Sequence, residues 1–248
     1  MPNWLDMTRD EVGEAARYGA VAVLPVGAVE QHGPHLPTGT DTLLAEHVAG
    51  AAVARTNDVA LPAVSYGCSL GHTEYWPGTI SLSVSTVIEV MNDIGRWVYA
   101  SGFRKLVVVN SHATNGPPCQ SSLLTLRYEF PDMNSRFISL YDVTPAASAG
   151  YLIDAQDPHA NSAETSMLMH MAPELTHLER AVDETDRTVG RVLTYPMPAV
   201  THSGVVGRPT TASAAAGGQL LTAIIDGVTD VLVRAKAETR PEFTRRQP

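Results

Sequence analysis

Short runs of β-branched and other apolar residues recur along the chain and alternate with segments of helical periodicity. These runs predict strands over residues 21–27, 59–64, 106–109 and 137–141. Apolar positions three or four apart predict helices over residues 42–54, 84–100, 120–128, 164–170 and 212–235. Strands and helices in this order are typical of βαβ units, so the pattern predicts an α/β fold with a mostly parallel sheet.

Two runs carry more detailed information. The run at residues 106–109 is continuously apolar, as is typical of a strand that helices cover on both faces. Pro25 interrupts the first run, and because proline has no N–H to donate, we expect that strand to be peripheral or irregular there.

Residues 191–211 are rich in Pro, Gly and Thr, and they form a connection long enough that we expect it to line a functional region.

The composition and the length of the chain predict one folded domain. The 248 residues are 44% hydrophobic and 17% charged, which excludes a disordered chain. A single α/β sheet with flanking helices commonly needs this length, so we expect one domain over residues 1–248, with a polar C-terminal segment at 236–248. Cys68 and Cys119 fit no CxxC pattern and are expected to be reduced, buried thiols.

The charge and the hydropathy of the chain exclude several partners. The formal net charge is −9, and the only dense basic spot is the pair Arg245 and Arg246, so we expect no nucleic-acid binding. The longest nearly apolar run, residues 21–29, is about half the roughly 20 residues that a membrane helix needs. The N-terminal residues also lack the pattern of a signal peptide, so we expect a cytoplasmic protein without membrane contact.

The residues that follow the first predicted strand are of metal-binding types. If the chain stays extended there, Glu30 and His32 share one face, and Asp41 lies at the start of the next helix. His112 follows the buried run at 106–109, and ligands of open α/β sheets collect at such strand ends. Mixed N and O ligands suit Zn²⁺, Mn²⁺ or Fe²⁺ better than Ca²⁺. The alternative is that Asp41 only caps a helix while Glu30 and His32 form a surface pair.

Two later segments carry further candidates. His159 lies in a loop, and Glu164 begins a helix, where the helix dipole favours a carboxylate. A surface histidine and an ordinary first-turn glutamate are the alternative interpretation of this pair. Tyr75 and Trp76 lie in a loop with a Pro-Gly turn and are candidate walls of a pocket for a small flat substrate. Five other histidines are assigned no role: His35, His72, His170, His177 and His202.

Together these residues resemble the creatininase family of metal-dependent amidohydrolases. The resemblance covers roughly residues 15–235 and rests on five blocks in the family's order. They are Glu30-Gln31-His32-Gly33-Pro34-His35-Leu36-Pro37 with Asp41-Thr42, Pro77-Gly78-Thr79-Ile80-Ser81, Asn110-Ser111-His112 with Asn115, His159-Ala160 with Glu164-Thr165-Ser166, and Gly204-Val205-Val206-Gly207 with Pro209-Thr210-Thr211-Ala212-Ser213. The resemblance implies a three-layer α/β/α sandwich, a site for two divalent metal ions and a homohexamer.

The resemblance also implies roles for individual residues. It makes Asp41 the carboxylate that bridges both ions and His159 the nearby acid or base. The other implied positions are the terminal ligands Glu30, His32 and His112, and Asn115 at the substrate.

Position 114 departs from the family pattern. Creatininase has a ligating Glu two residues after its counterpart of His112, whereas this chain has Thr114. Glu164, in the family's His-Ala-x-x-x-Glu-Thr block, is the candidate that completes the shell of the second metal. The departure argues against creatinine itself as the substrate.

The expected reaction is hydrolysis of the C–N bond of a small cyclic or linear amide. Two divalent ions about 3.5–4 Å apart, Zn²⁺ before Mn²⁺ or Fe²⁺, can hold a bridging hydroxide and polarise the carbonyl. His159 then protonates the leaving nitrogen. A metal-dependent peptidase or deformylase of the same family is the first alternative. A catalytically silent metal-binding or scaffold protein is the second, because of the substituted segment at Ala113 and Thr114.

Overall fold

A sheet of four parallel strands organises the protein. The computed structural model describes residues 3–241, so Arg245 and Arg246 of the predicted basic spot lie outside the described residues. The strands are β1 (Ala22–Val26), β2 (Val59–Ala60), β3 (Lys105–Asn110) and β4 (Asn134–Ser139). They lie in the order β2-β1-β3-β4. Every pairing between them is parallel, which confirms the predicted sheet type.

Eight α-helices accompany the sheet within the described residues. They are α1 (Arg9–Arg17), α2 (Thr40–Thr56), α3 (Val84–Ala100), α4 (Gly116–Glu129), α5 (Pro145–Tyr151), α6 (Ser162–Met171), α7 (Met197–Val200) and α8 (Ala214–Ala237). The five predicted helices correspond to α2, α3, α4, α6 and α8. The pattern did not predict α1, α5 and α7, although Thr8 and Glu11 form a capping box at the start of α1.

Helices cover both faces of the sheet. In β1 and β3, Val23 and Val107 point toward α2, α5, α6 and α8, and they belong to one apolar cluster. Leu24 and Val108 point the other way, into a cluster with α1, α3 and α4. Because successive side chains of a strand alternate between faces, the two clusters give three layers, the α/β/α sandwich that was expected. Cys68 and Cys119 are free, buried thiols, as predicted.

The predictions for β1 and β2 need correction. β1 is not peripheral, because it lies between β2 and β3. The irregularity lies on its β2 side: β2 contains only residues 59–60 of the predicted 59–64. Backbone bonds from Leu61 to Val23 and from Val64 to Pro25 show that Pro25 faces β2. Pro25 has no N–H to give to the neighbouring strand, so regular pairing stops at this point.

Helix α8 is a core helix despite its apolar composition. It is the single helix of the described residues that is long and apolar enough for a membrane span, which is weak evidence by itself. Leu221, Ile224, Val228 and Leu232 are buried in the same cluster as β1 and β3. Packing against the sheet therefore accounts for the apolar composition of α8.

The close packing of α8 on α6 gives the first prediction. A Cβ at Gly217 would lie 1.9 Å from the backbone oxygen of Ser166, so the two helices touch through their backbones there. We expect Gly217→Ala to lower the free energy of unfolding by about 1–3 kcal/mol, measured by urea denaturation. As a control, Gly13→Ala in α1, where a Cβ meets nothing within 4 Å, should raise it by about 0.5–1 kcal/mol. Effects of the same sign would contradict this account.

Candidate metal centre

The strand ends and the start of α2 bring the first candidate ligands together. Glu30 and His32 follow β1, His112 follows β3, and Asp41 lies in the first turn of α2. A Cβ at Gly27 would lie 2.4 Å from the Cα of Thr42, so only a glycine allows α2 to begin against the end of β1. This close approach places the Asp41 carboxylate beside the two strand ends.

The other predicted ligand comes from α6. Asn161 caps this helix by accepting hydrogen bonds from the backbone N–H groups of Ala163 and Glu164, both at 3.1 Å. Glu164 thus lies in the first turn of α6, as predicted. The five predicted ligands are all buried, with at most 6% of any of them exposed: Glu30, His32, Asp41, His112 and Glu164.

One group of potential ligands forms around His112. Its Nδ1 lies 3.3 Å from Asp41 Oδ2, and its Nε2 lies 3.2 Å from Glu30 Oε2. Nε2 is also 2.9 Å from the backbone oxygen of Cys68, which can only accept. Nε2 therefore carries a proton, and Nδ1 is the nitrogen that faces Asp41.

A second group forms around His32. Its Nδ1 is 3.1 Å from the backbone oxygen of Glu30, so Nδ1 is the donor and Nε2 holds the lone pair. Nε2 lies 3.7 Å from Asp41 Oδ1 and 3.9 Å from Glu164 Oε1. Two ligands of a tetrahedral ion with bonds of about 2.0–2.1 Å lie roughly 3.4 Å apart, close to these separations. Asp41 offers one carboxylate oxygen to each group and can therefore bridge two ions.

Buried carboxylate oxygens without partners show that the site fits cations. Within the described residues, four such oxygens belong to the cluster: Glu30 Oε1 and Oε2, Asp41 Oδ2 and Glu164 Oε2. Burial raises the pKa of Glu30 to about 7, and burial likewise raises the pKa of Glu164. A buried charged group raises the free energy of the folded protein unless it is paired or coordinates a metal. The donor set therefore fits divalent cations.

The alternatives for Asp41, Glu30 and His32 do not agree with the structure. The N-cap of α2 is Gly39, and no side chain caps the first turn of this helix. Glu30 and His32 are 0% and 1% exposed, so they do not form a surface pair. Neither helix capping nor a surface ion pair therefore explains why these groups are present at this place.

His159 lies beside both groups with one nitrogen turned to the cluster. Its Nε2 is 2.8 Å from the backbone oxygen of Gln31, so Nε2 donates its proton there. Its Nδ1 lies 3.4 Å from Glu30 Oε1. Burial, together with the neighbouring imidazoles of His32 and His72, holds the pKa of His159 well below its usual value. The neutral ring therefore presents a lone pair on Nδ1.

The sequence analysis assigned no role to His72, yet the structure places it in the cluster. Its Nδ1 is 3.1 Å from Glu30 Oε1, and its ring centroid is 4.5 Å from that of His159. Burial, together with the imidazoles of His112 and His32, lowers the pKa of His72 to about 3. The available signal was its position at the start of the loop that carries Tyr75 and Trp76.

A buried tyrosine supports Glu164 and was also missed. The Tyr151 hydroxyl donates a 2.5 Å hydrogen bond to Glu164 Oε1, which leaves Oε2 without a hydrogen-bond partner. Outer partners of this kind orient metal ligands. Tyr151 lies in α5, which the pattern did not predict, so no sequence signal pointed to it.

Tyr75 and Trp76 lie at the edge of this region. Tyr75 is 59% exposed and packs edge-on against Trp76, with 4.8 Å between ring centroids. The Trp76 indole donates to the backbone oxygen of His202 at 3.3 Å. Their contact with a substrate stays a prediction.

The long segment at residues 191–211 reaches the candidate site. Gly204 accepts a hydrogen bond from the Gln31 side chain at 3.2 Å, and Val206 pairs with the backbone of His159. Part of this segment therefore lines the cluster, as expected for a connection of its length.

The structure argues against a substrate contact for Asn115. Its side chain is fully buried, and Oδ1 accepts from the Cys68 N–H at 2.8 Å. Its Nδ2 donates to the backbone oxygen of Gly27 at 2.9 Å and to Asn110 Oδ1 at 3.2 Å. All of these partners lie inside the protein, so Asn115 ties the ends of β1 and β3 together.

Thr114 contacts the Nε2 edge of the His112 ring. Its hydroxyl donates to the backbone oxygen of Cys68 and lies 2.6 Å from His112 Nε2. Position 114 therefore holds a group that fixes the orientation of the His112 ring.

Two surface clefts lie away from the cluster. Their volumes are about 800 and 790 Å³, both run along β4, and Arg136 and Val143 line both of them. None of the candidate ligands lines either cleft.

Comparisons with known proteins agree with this chemistry. The profile of the creatininase family, described as creatinine amidohydrolase, matches residues 5–232. A mycofactocin precursor peptide peptidase from Mycolicibacterium smegmatis is 32% identical over 224 residues, covering 86% of this chain and 85% of that protein. A creatinine amidohydrolase from Pseudomonas putida is 30% identical over 233 residues, covering 86% of this chain and 88% of that protein.

Solved structures show the same architecture. A structure named "Creatininase Mn" matches with a TM-score of 0.85 and 26% identity, covering 94% of this chain and 97% of that one. A Zn-Zn type mutant creatininase matches with a TM-score of 0.84 and 26% identity, covering 94% and 96%. These proteins share the fold of this chain over nearly its whole length.

Proposed function

The chain belongs to the creatininase family, and from this we propose that it is a metal-dependent amidohydrolase that cleaves the C–N bond of a small cyclic or linear amide. The observation that carries the proposal is a group of four carboxylate oxygens that, within the described residues, lie buried among histidine nitrogens without a hydrogen-bond partner. A purely structural core does not retain such groups, because each costs free energy when it is buried without a partner. A catalytically silent scaffold would gain nothing from that cost.

We assign the predicted ligands to two ions. Glu30, Asp41 and His112 would hold one ion, and His32, Asp41 and Glu164 the other. Zn²⁺ is the first choice, and Mn²⁺ or Fe²⁺ have the same ligand preferences. When bound, such ions polarise a carbonyl and make water acidic enough to act as a nucleophile near neutral pH.

His159 is the group we assign to proton transfer. Its Nε2 proton is held by the backbone oxygen of Gln31, so only Nδ1 is available to exchange a proton. Nδ1 can take the proton from the attacking water and return it to the amide nitrogen as the C–N bond breaks. The nitrogen then leaves as an amine.

A peptide bond is the second candidate for the scissile bond. A relative that covers most of the chain is named a peptidase, which favours this alternative. The exposed ring of Tyr75 and its neighbour Trp76 can contact a chain longer than a small cyclic amide. The reacting groups would be the same for both substrates.

Metal removal and a substrate panel test the proposal. We expect about two divalent ions per chain by elemental analysis, and loss of all turnover after dialysis against a chelator, because the nucleophile requires the ions. Adding back Zn²⁺ or Mn²⁺ should restore turnover. The panel should contain a cyclic ureide, a formamide and a short peptide, and the preferred member identifies the substrate class. Turnover that survives complete metal removal would refute the proposal.

The remaining expectations concern organisation and location. We propose that residues 1–248 form one catalytic domain, because both apolar clusters pack against the same sheet. We also propose a cytoplasmic homo-oligomer, a hexamer by family resemblance. Exposed apolar side chains at Val189, Val192 and Leu193 support subunit contacts.

A further inference from the structure

His72 lies at the candidate site with a fixed orientation. It is 8% exposed and touches two residues that flank the proposed reaction centre: Glu30, through Nδ1 at 3.1 Å, and His159, through an edge-on ring contact. Neither contact explains why an imidazole is placed here.

The side chain of Gln31 determines which nitrogen of His72 carries a proton. Gln31 Oε1 accepts from the backbone N–H of Gly33 at 2.9 Å, and Nε2 donates to the backbone oxygen of Gly204 at 3.2 Å. These two bonds fix which end of the amide is oxygen and which is nitrogen. The same Nε2 lies 3.1 Å from His72 Nδ1.

An amide nitrogen only donates, and Glu30 Oε1, although 3.1 Å from His72 Nδ1, has no hydrogen-bond partner within the described residues, so Nδ1 accepts from Gln31. Gln31 has two N–H groups on this nitrogen, and Gly204 and His72 account for both. His159 Nε2, which is also 3.1 Å away, already donates to the Gln31 backbone oxygen and cannot accept. In the neutral His72 ring, the proton is therefore on Nε2.

The Nε2 proton of His72 is available to a ligand. Among the described residues, Nε2 has no hydrogen-bond partner of the kind that Nδ1 has in Gln31, and the His72 side chain is 10% exposed. The ring thus presents one N–H, at Nε2, at the edge of the cluster, while Gln31 donates a hydrogen bond to its Nδ1.

We propose that His72 is a catalytic residue that donates its Nε2–H to the carbonyl oxygen of the scissile amide. This inference rests on the proposed amidohydrolase function. As the water oxygen bonds to the carbonyl carbon, the π electron pair of the C=O bond moves onto the carbonyl oxygen, and the N–H of His72 stabilises the resulting negative charge. When this electron pair forms the C=O bond again, the C–N bond breaks and His159 protonates the nitrogen. His72 keeps its proton throughout, so it acts as a neutral donor.

Two substitutions test this role on the metal-loaded enzyme. We expect His72→Phe, which keeps a flat ring but has no donor, to lower kcat by about 10²–10³-fold on the best panel substrate, with a smaller change in KM. His72→Gln restores an N–H near the position of Nε2 and should recover at least about tenfold of that loss. The metal content of both variants should equal that of the wild type. His177→Phe, at an exposed histidine, is the matched control and should change nothing.

Nitrogen NMR of the histidines gives a readout that does not depend on turnover. In the zinc-loaded wild type, His72 should show protonated Nε2 and unprotonated, hydrogen-bonded Nδ1. Protonated Nδ1, a lost metal ion in His72→Phe, or a kcat within about threefold of the wild type would each overturn the role of His72. A wild type that binds metal but hydrolyses no amide would refute the proposed function instead, and the NMR signature would still decide the orientation of His72.

Discussion

Asp41→Asn is expected to reduce metal binding and to lower amide turnover by roughly 10³-fold or more. Asp41 is the only one of the three clustered carboxylates that contributes an oxygen to each group of ligands, Oδ2 beside His112 and Oδ1 beside His32. Asn keeps the shape but loses the charge that attracts two dications. Metal ions contribute several kcal/mol to the stabilisation of transition-state charge, and each 1.36 kcal/mol is tenfold in rate.

Elemental analysis and calorimetry check this prediction together. We expect fewer than two ions per chain in Asp41→Asn, whereas Asp10→Asn, in the exposed first turn of α1, should keep both. Without metal, Asp41→Asn should be more stable than the wild type, because it removes one of several buried negative charges. With metal present, the order should reverse. Two ions retained at full occupancy would contradict the bridging role of Asp41.

The candidate ligands whose positions could be predicted from sequence are those that regular elements position. Glu30 and His32 follow a strand, so their shared face depends only on the alternation of side chains. His112 follows a second buried strand, and parallel strands end at the same edge. Asp41 required one more step, the close contact of α2 with Gly27, and the Gly and Pro residues of the loop between β1 and α2, which favour a tight path, made it foreseeable.

The groups that could not be predicted depend on irregular segments. Tyr151 reaches Glu164 from a seven-residue helix without a periodic apolar pattern. His72 reaches Glu30 from a loop whose path is set by tertiary contacts, among them the bond between Gln31 and Gly204. No spacing rule links positions so far apart along the chain.

The substrate contact expected of Asn115 stays a prediction, and its buried hydrogen bonds do not favour it. A motif places a residue near a site, but it does not say whether the side chain faces the substrate or the protein interior. The amide of Asn115 has partners on the loop at Cys68 and on both central strands, which only the folded structure shows. The same ambiguity applies to His159, for which substitution gives a clear answer.

His159→Ala is expected to lower kcat by about 10²–10⁴-fold while both metal ions remain bound. Proton transfer by a positioned imidazole typically contributes this much. The ligand geometry leaves two roles open, because His159 lies within ligand distance of Glu30 with His72, and of His32 with Glu164. A base and a ligand have different consequences when they are removed, so metal content separates them.

The hydrogen bond from His159 Nε2 to the Gln31 backbone leaves a single lone pair on Nδ1, as a metal ligand would also have, and in the proposed acid–base role this lone pair exchanges the proton. Imidazole added to the medium should therefore restore part of the turnover of His159→Ala, because a free base can occupy the space that the side chain leaves. His177→Ala, at an exposed position, should neither lose activity nor respond to imidazole. If His159→Ala instead binds one ion fewer and imidazole restores metal binding before turnover, His159 is a ligand, and the proton must be moved by another group.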